Sequence, residues 1–154
     1  MKMRLIFAIP EDDALNLMHS LLTSALLLNP LEVEVAEVST LDALMQRVDA
    51  DTDDIVLLDW LLAEDRTAEV VEEILQRNPK LRVVALLPLA YRQYRQQVWC
   101  AGACNGIPKE YMDQEWLSTV LCLMQRAMQR EARLLQRISL VHTGVNRPIV
   151  GGVM

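Results

Sequence analysis

The chain alternates between short apolar runs and longer stretches in which apolar residues recur every three or four positions. Continuous apolar runs predict buried strands, and here they are MRLIFAI, DIVLLD, LRVVALLP and the shorter CNGIPK. LEVEVAEV alternates apolar and polar residues instead, which is typical of a half-exposed strand at or near a sheet edge. The intervening stretches predict helices that run from about Glu11 to Asn29, from Thr40 to Val48, from Thr67 to Arg77, over residues 91 to 101, and from near Asp113 onward.

Strict alternation of five strands and five helices predicts an α/β fold: a doubly wound parallel sheet with helices on both faces. The last helical pattern runs well past the length needed to cover a sheet. We therefore expect a globular domain over residues 1–125, an extension of the last helix over residues 126–141, and a flexible tail over residues 142–154.

Composition narrows the class of protein further. The 154 residues are 52% apolar and carry a formal charge of −6, which indicates a globular domain and argues against binding of nucleic acid by this chain alone. The amino terminus lacks the pattern of a signal peptide, and no apolar run is long enough to cross a bilayer. Three cysteines, an odd number in apolar or helical contexts, favour reduced thiols. We expect a cytoplasmic protein without a membrane partner.

Asp59 ends the run DIVLLD and poses the main question about chemistry. An acid there can bond to nearby backbone N–H groups, or it can present a nucleophile or metal ligand at the carboxyl edge of a parallel sheet. The order of elements, Asp59 at the end of the third strand, and Lys109 in GACNGIPK after the fifth together resemble the receiver domain of two-component response regulators. The resemblance covers roughly residues 3 to 130.

This resemblance implies a chemotaxis-type, flavodoxin-like sheet of order 2-1-3-4-5. It also implies that Asp59 is a phosphoacceptor in a phosphorelay, with Lys109 as its charge partner and a sensor histidine kinase or phosphotransfer protein as donor. Phosphoryl transfer to a carboxylate needs a divalent cation such as Mg²⁺, held by hard oxygen ligands. Asp59 is the first candidate ligand, and Glu11 and Asp12 are the others.

The sequence departs from the family pattern at several positions. The acidic pair of the family falls on Ile9 and Pro10, and the acids Glu11 to Asp13 come later. Those acids either fold back toward Asp59 as metal ligands or serve as favourable charges at the amino end of a helix. The switch positions, usually a Ser or Thr and an aromatic residue, are Leu87 and Gly106. The usual coupling between them is therefore lost.

The last helix carries an apolar seam with steps of three, four and seven residues, formed by Leu117, Leu121, Met124, Met128, Leu135 and Ile138 and interrupted by Glu131. Such a seam suits a coiled coil or the groove of a partner, and we expect a homodimer through residues 114–138. Arginines share another face at positions 126, 130, 133 and 137. They form either a solvated face or a contact for an acidic partner or nucleic acid.

Two functions follow from these residues. The first is a non-enzymatic receiver that takes a phosphoryl group on Asp59 and signals through protein association. The second is a pseudo-receiver, a protein-interaction or dimerisation scaffold that works without phosphate. A small α/β enzyme is disfavoured, because the sequence has no glycine-rich phosphate loop and no acid/base set beside Asp59.

Overall fold

The computed structural model of the chain describes the backbone of residues 2–152 and the side chains of residues 2–104 and 107–141. Within that part, the strands are β1 (Met3–Ala8), β2 (Val33–Val38), β3 (Ile55–Asp59), β4 (Arg82–Leu87) and β5 (Asn105–Pro108). The α-helices are α1 (Asp12–Leu28), α2 (Leu41–Ala50), α3 (Thr67–Arg77), α4 (Arg95–Cys100) and α5 (Gln114–Gly152). The chain divides after residue 118 into two compact units, and the sheet belongs to the first.

The strands pair in parallel in the order β2-β1-β3-β4-β5, which confirms the predicted topology. Every residue of β3 is buried, as expected for a central strand with both faces covered. The edge strand β2 is mostly half-exposed, as its alternating sequence predicts. Because all the strands are parallel, their carboxyl ends meet at one edge of the sheet, where Asp59 ends β3.

Each face of the sheet packs against its own layer of helices. On one face, Ile6, Val56 and Val83 join a core that includes residues of α2, α3 and α4. Neighbouring strand residues point to the other face. There Phe7 of β1 is fully buried, and its ring meets the ring of His19 in α1 at a centroid distance of 5.1 Å. The two layers make the doubly wound arrangement that the alternation of elements predicts.

The helix ends follow the local sequence closely. Thr40 caps α2, because its hydroxyl oxygen accepts a hydrogen bond from the Ala43 N–H at 3.1 Å. At α1 the N-cap residue is Glu11, and Asp12 and Asp13 lie in the first turn. Carboxylates there are stabilised by the positive end of the helix dipole. Asp12 and Asp13 thus have the placement expected of favourable charges at the amino end of a helix.

The single helix predicted over residues 91–101 is wrong in its first part. Residues Leu89–Tyr94 form 3-10 turns with a break at Tyr91, and only Arg95–Cys100 is α-helical. In 3-10 geometry residues three apart lie on the same side. Tyr91 and Tyr94 both contact the indole of Trp60, so tertiary packing overrides the helical pattern here. We refer to Leu89–Tyr94 as the 89–94 segment.

Helix α5 starts where the sequence predicts, with Asp113 accepting a hydrogen bond from the Trp116 N–H at 2.7 Å. Its backbone continues to Gly152, past the end that we predict at residue 141. The flexibility of residues 142–154 and the boundary at residue 125 stay predictions. In the described part of the chain, no helix is both long and apolar enough to cross a membrane.

The backbone conformation of Gly102, in the connection between α4 and β5, can be tested by substitution. Gly102 has φ +113°, and a Cβ atom placed on it would lie 2.5 Å from Cδ1 of Leu75. We expect Gly102→Ala to lower the free energy of unfolding by about 1–3 kcal/mol, measured by urea denaturation. Adding Leu75→Ala removes the clash, so the loss that Gly102→Ala still causes in that background isolates the backbone strain. A wild-type stability for Gly102→Ala would contradict this account.

Candidate functional site at the carboxyl edge of the sheet

The site is built around an ion pair that crosses one strand. Asp59 is the last residue of β3, and Lys109 follows β5, with β4 between them. The Lys109 Nζ lies 3.0 Å from Oδ1 of Asp59 and 2.9 Å from Oδ2. Asp59 is only 1% exposed, while the lysine side chain keeps 21%. A carboxylate this deeply buried needs a partner, and Lys109 provides the compensating charge.

Asp59 also shapes the backbone that follows it. Its Oδ1 accepts a hydrogen bond from the Leu61 N–H at 2.9 Å and so caps the 3-10 turn Trp60–Leu62. Both carboxylate oxygens are therefore engaged within the chain, one by Lys109 alone and one by Lys109 and a backbone amide. The first interpretation of a strand-end aspartate, bonding to nearby backbone N–H groups, applies to this residue. Its role as a nucleophile or metal ligand stays a prediction.

The residues beside Asp59 are apolar. Ala8 of β1 pairs with Leu58, which places Ile9 next along the chain at the level of Asp59. On the other side, Asp59 itself pairs with Leu86 of β4. Ile9 and Leu86 are both buried. The neighbours of Asp59 on the two adjacent strands are therefore aliphatic, and Lys109 is a cation that its carboxylate contacts.

The other acids predicted as metal ligands follow the end of β1. Glu11 and Asp12 are exposed at the amino end of α1. Among the described side chains, no three Asp, Glu, His or Cys residues come together in a group that could hold a metal ion. Mg²⁺ usually takes one or two carboxylates with several waters in octahedral geometry. Asp59 supplies one carboxylate at this edge, and the part of Glu11 and Asp12 in holding a metal ion stays a prediction.

The two switch positions stand as the sequence indicates. Leu87 is the buried last residue of β4 and cannot donate a hydrogen bond to a phosphoryl group. Gly106 lies in β5, where its backbone pairs with Ala85. The surroundings of Gly106 beyond the backbone lie outside the described residues.

Sequence reasoning missed a second set of contacts around the ion pair. Glu110, directly after Lys109, accepts a hydrogen bond from the Leu89 N–H at 2.7 Å. Trp60, directly after Asp59, is buried and stacks on Tyr91 at 5.1 Å with an interplanar angle of 16°. Each member of the ion pair is thus followed by a residue that holds the 89–94 segment. The spacing of two tyrosines three residues apart was the only sequence signal for this arrangement.

Known structures resemble this chain in fold. A putative response regulator from Chloroflexus aurantiacus matches with a TM-score of 0.67 at 16% identity, over 81% of this chain and 99% of that one. A response regulator receiver domain protein from Clostridium thermocellum matches with a TM-score of 0.67 at 17% identity, over 86% and 98%. NtrX from Brucella abortus, solved with ADP, reaches 0.70 at 19% identity, over 88% of this chain and 29% of that one.

These matches define the class of fold. The chain has the fold of response regulator receiver domains, with the five-stranded parallel sheet and a long carboxyl-terminal helix. No family model matches the sequence, and no curated protein does. At identities below one in five the likeness is one of fold, so the activity has to be argued from the site itself.

The ion pair can be tested by removing its cation. We expect Lys109→Met to lower the free energy of unfolding by about 3 kcal/mol, because it leaves the buried Asp59 carboxylate without a compensating charge. The double variant Asp59→Leu/Lys109→Met should recover most of the loss, since no charge is then buried. Lys80→Met, at an exposed lysine, serves as the control for urea denaturation. Equal losses in the single and double variants would contradict the pairing.

The Glu110 contact predicts a local effect on the 89–94 segment. Glu110→Ala removes the acceptor for the Leu89 N–H, and we expect amide hydrogen exchange at Leu89 to rise by roughly tenfold or more, as befits a hydrogen bond to a charged group. Glu115→Ala changes another carboxylate, exposed in the first turn of α5, and should leave that amide unchanged. Equal exchange in the two variants would show that Glu110 does not hold the segment.

Proposed function

We propose that this chain is a receiver-type interaction domain that acts through protein association without taking up phosphate. The observation that carries the proposal is the environment of Asp59. Its side chain is only 1% exposed, and both of its oxygens are engaged by Lys109. A phosphoacceptor needs access to its donor.

In this proposal the Asp59–Lys109 pair has a structural role. It joins the end of β3 to the end of β5 across β4 and keeps the carboxyl edge of the sheet in one conformation. The neighbouring contacts of Trp60 and Glu110 then hold the 89–94 segment against the same edge. The pair stabilises the surface that this edge presents to a partner, and the chain is not an enzyme.

Association proceeds through helix α5. The apolar seam predicted over residues 114–138 continues into side chains that face solvent, among them Leu135 at 66% and Ile138 at 64% exposure. Large aliphatic side chains that are exposed in series along one helix mark a surface for association. We take a second copy of the chain as the partner, and the protein as a homodimer.

A second candidate function is the phosphoacceptor itself, with a sensor histidine kinase or phosphotransfer protein as partner. What favours it is the placement of an acid and a lysine in contact at the carboxyl edge of a receiver fold. An oxygen of Asp59 would form the bond to phosphorus while the bond from phosphorus to the donor's histidine nitrogen breaks. Lys109 would neutralise part of the charge on the phosphoryl oxygens.

One experiment separates the two candidates. The protein is incubated with acetyl phosphate and Mg²⁺, and its intact mass is measured together with its association by sedimentation equilibrium. We expect no phosphoryl mass increment and the same dimerisation with and without acetyl phosphate. An increment that disappears in Asp59→Asn would overturn the proposal and establish the phosphoacceptor. A proven receiver domain in the same tube verifies that the reagent is active.

A further inference from the structure

One block of the chain carries positive charge without any acid. Between Glu73 and Glu110 the sequence contains arginine and lysine but no aspartate or glutamate, although the formal charge of the whole chain is −6. Several cations of the chain have an acidic partner within the protomer, namely Arg47, Arg66, Arg77 and Lys109. Arg92 and Arg95, which lie within this block, differ from them.

Arg92 belongs to the 89–94 segment, and Arg95 begins α4. Among the described residues, the guanidinium group of neither arginine forms a hydrogen bond or an ion pair. The Nε of Arg95 is also shielded from solvent, so this donor is left unsatisfied. An unsatisfied buried donor is costly, and turning the Arg95 side chain outward to an acceptor breaks no internal hydrogen bond. Both arginines are therefore available to an anion outside the protomer.

Arg92, Arg95 and Trp99 lie on one side of this part of the chain. Arg92 and Arg95 are three residues apart where the 3-10 turns pass into α4, and Arg95 and Trp99 are four residues apart within α4. Residues at these spacings are neighbours on a helical surface, with Cβ atoms about 5–6 Å apart. Trp99 is 57% exposed, although tryptophan is highly buried on average in proteins. We call these three residues the arginine–tryptophan face.

The backbone that carries this face is held from the other side. Tyr91 and Tyr94, which flank Arg92, both contact Trp60. Within α4, Val98 is fully buried in the core. A surface on a fixed backbone loses little conformational freedom when a partner binds, and more of the contact energy then appears as affinity. The arginine–tryptophan face is thus preorganised for binding.

We propose that the arginine–tryptophan face binds an acidic segment of a partner protein, with carboxylates on Arg92 and Arg95 and an apolar side chain against Trp99. Carboxylates match the fork of an arginine guanidinium, and Trp and Arg are enriched among the residues that dominate the energy of protein interfaces. Side chains on one side of an extended segment are about 7 Å apart, comparable with the spacing along the face. The matching segment has the form acid–x–acid–x–apolar.

Nucleic acid fits this face less well than an acidic peptide does. Proteins that bind nucleic acid through its phosphates neutralise several of them, whereas this chain has a formal charge of −6 and presents two arginines here. An acidic peptide needs fewer cations, because bonds from a guanidinium group to a carboxylate are both charged and directional. The contact goes beyond the association through α5 proposed above, since it adds a second surface and the chemical class of its partner.

The probe for the test is a fluorescently labelled random copolymer of glutamate and tyrosine, which offers acidic and aromatic side chains in many orders. Its binding to the full chain is measured by fluorescence anisotropy. We expect binding that weakens as salt is added, and we expect Arg92→Gln/Arg95→Gln and Trp99→Ala each to raise the Kd about tenfold or more. Arg130→Gln/Arg133→Gln removes the same charge from α5 and should leave the Kd within about twofold of the wild-type value. Circular dichroism verifies that each variant is folded.

Other outcomes overturn the proposal in distinct ways. Equal losses of binding in the two double arginine variants would assign the effect to overall charge or to α5. Absence of copolymer binding by the wild-type chain would remove the acidic partner, and tighter binding of a labelled oligothymidylate would assign the face to nucleic acid. Loss of dimerisation in Arg92→Gln/Arg95→Gln, measured by sedimentation equilibrium, would make the face an interface between copies.

The association through α5 fails or stands separately. A wild-type chain that is monomeric in sedimentation equilibrium and binds the copolymer as expected would contradict the homodimer and support the arginine–tryptophan face. A dimer that does not bind the copolymer would do the reverse.

Discussion

The negative charge of Asp59 lies at the end of the most deeply buried strand, and the surrounding structure is arranged to compensate it. A carboxylate that is only 1% exposed is costly unless a cation reaches it, and Lys109 does so across the end of β4. That contact fixes where β5 ends relative to β3. Trp60 follows Asp59 and Glu110 follows Lys109, and both residues contact the 89–94 segment.

The sequence around this edge also departs from the receiver-domain pattern that it resembles. The carboxylates expected near the end of β1 appear instead in the first turn of α1, where they interact with the helix dipole. The position where the resemblance expects one of them holds the buried Ile9. In the function that we propose, the Asp59–Lys109 pair has the role of holding strands together.

If the edge of the sheet is fixed in one conformation, a signal to a partner has to pass through another part of the chain. Helix α5 offers the extended surface for it, because aliphatic side chains remain exposed along its seam in the protomer. In the function that we propose, the edge of the sheet supports a scaffold and the long helix provides its partner contact.

The sequence by itself determined the order of elements, the central position of β3, the half-exposed edge strand β2 and the start of α5, because burial of apolar runs and local capping follow directly from residue spacing. It also placed Asp59 and Lys109 at the same edge, since parallel strands bring their carboxyl ends together. The sequence left open whether Glu11 and Asp12 belong to a site or to a helix end. Tertiary structure shows them at the amino end of α1, and their part in a metal site stays a prediction. It also turned residues 89–94 into 3-10 turns against Trp60 and put Glu110 on the Leu89 amide. Those features depend on contacts between residues far apart in the chain, which local periodicity does not encode.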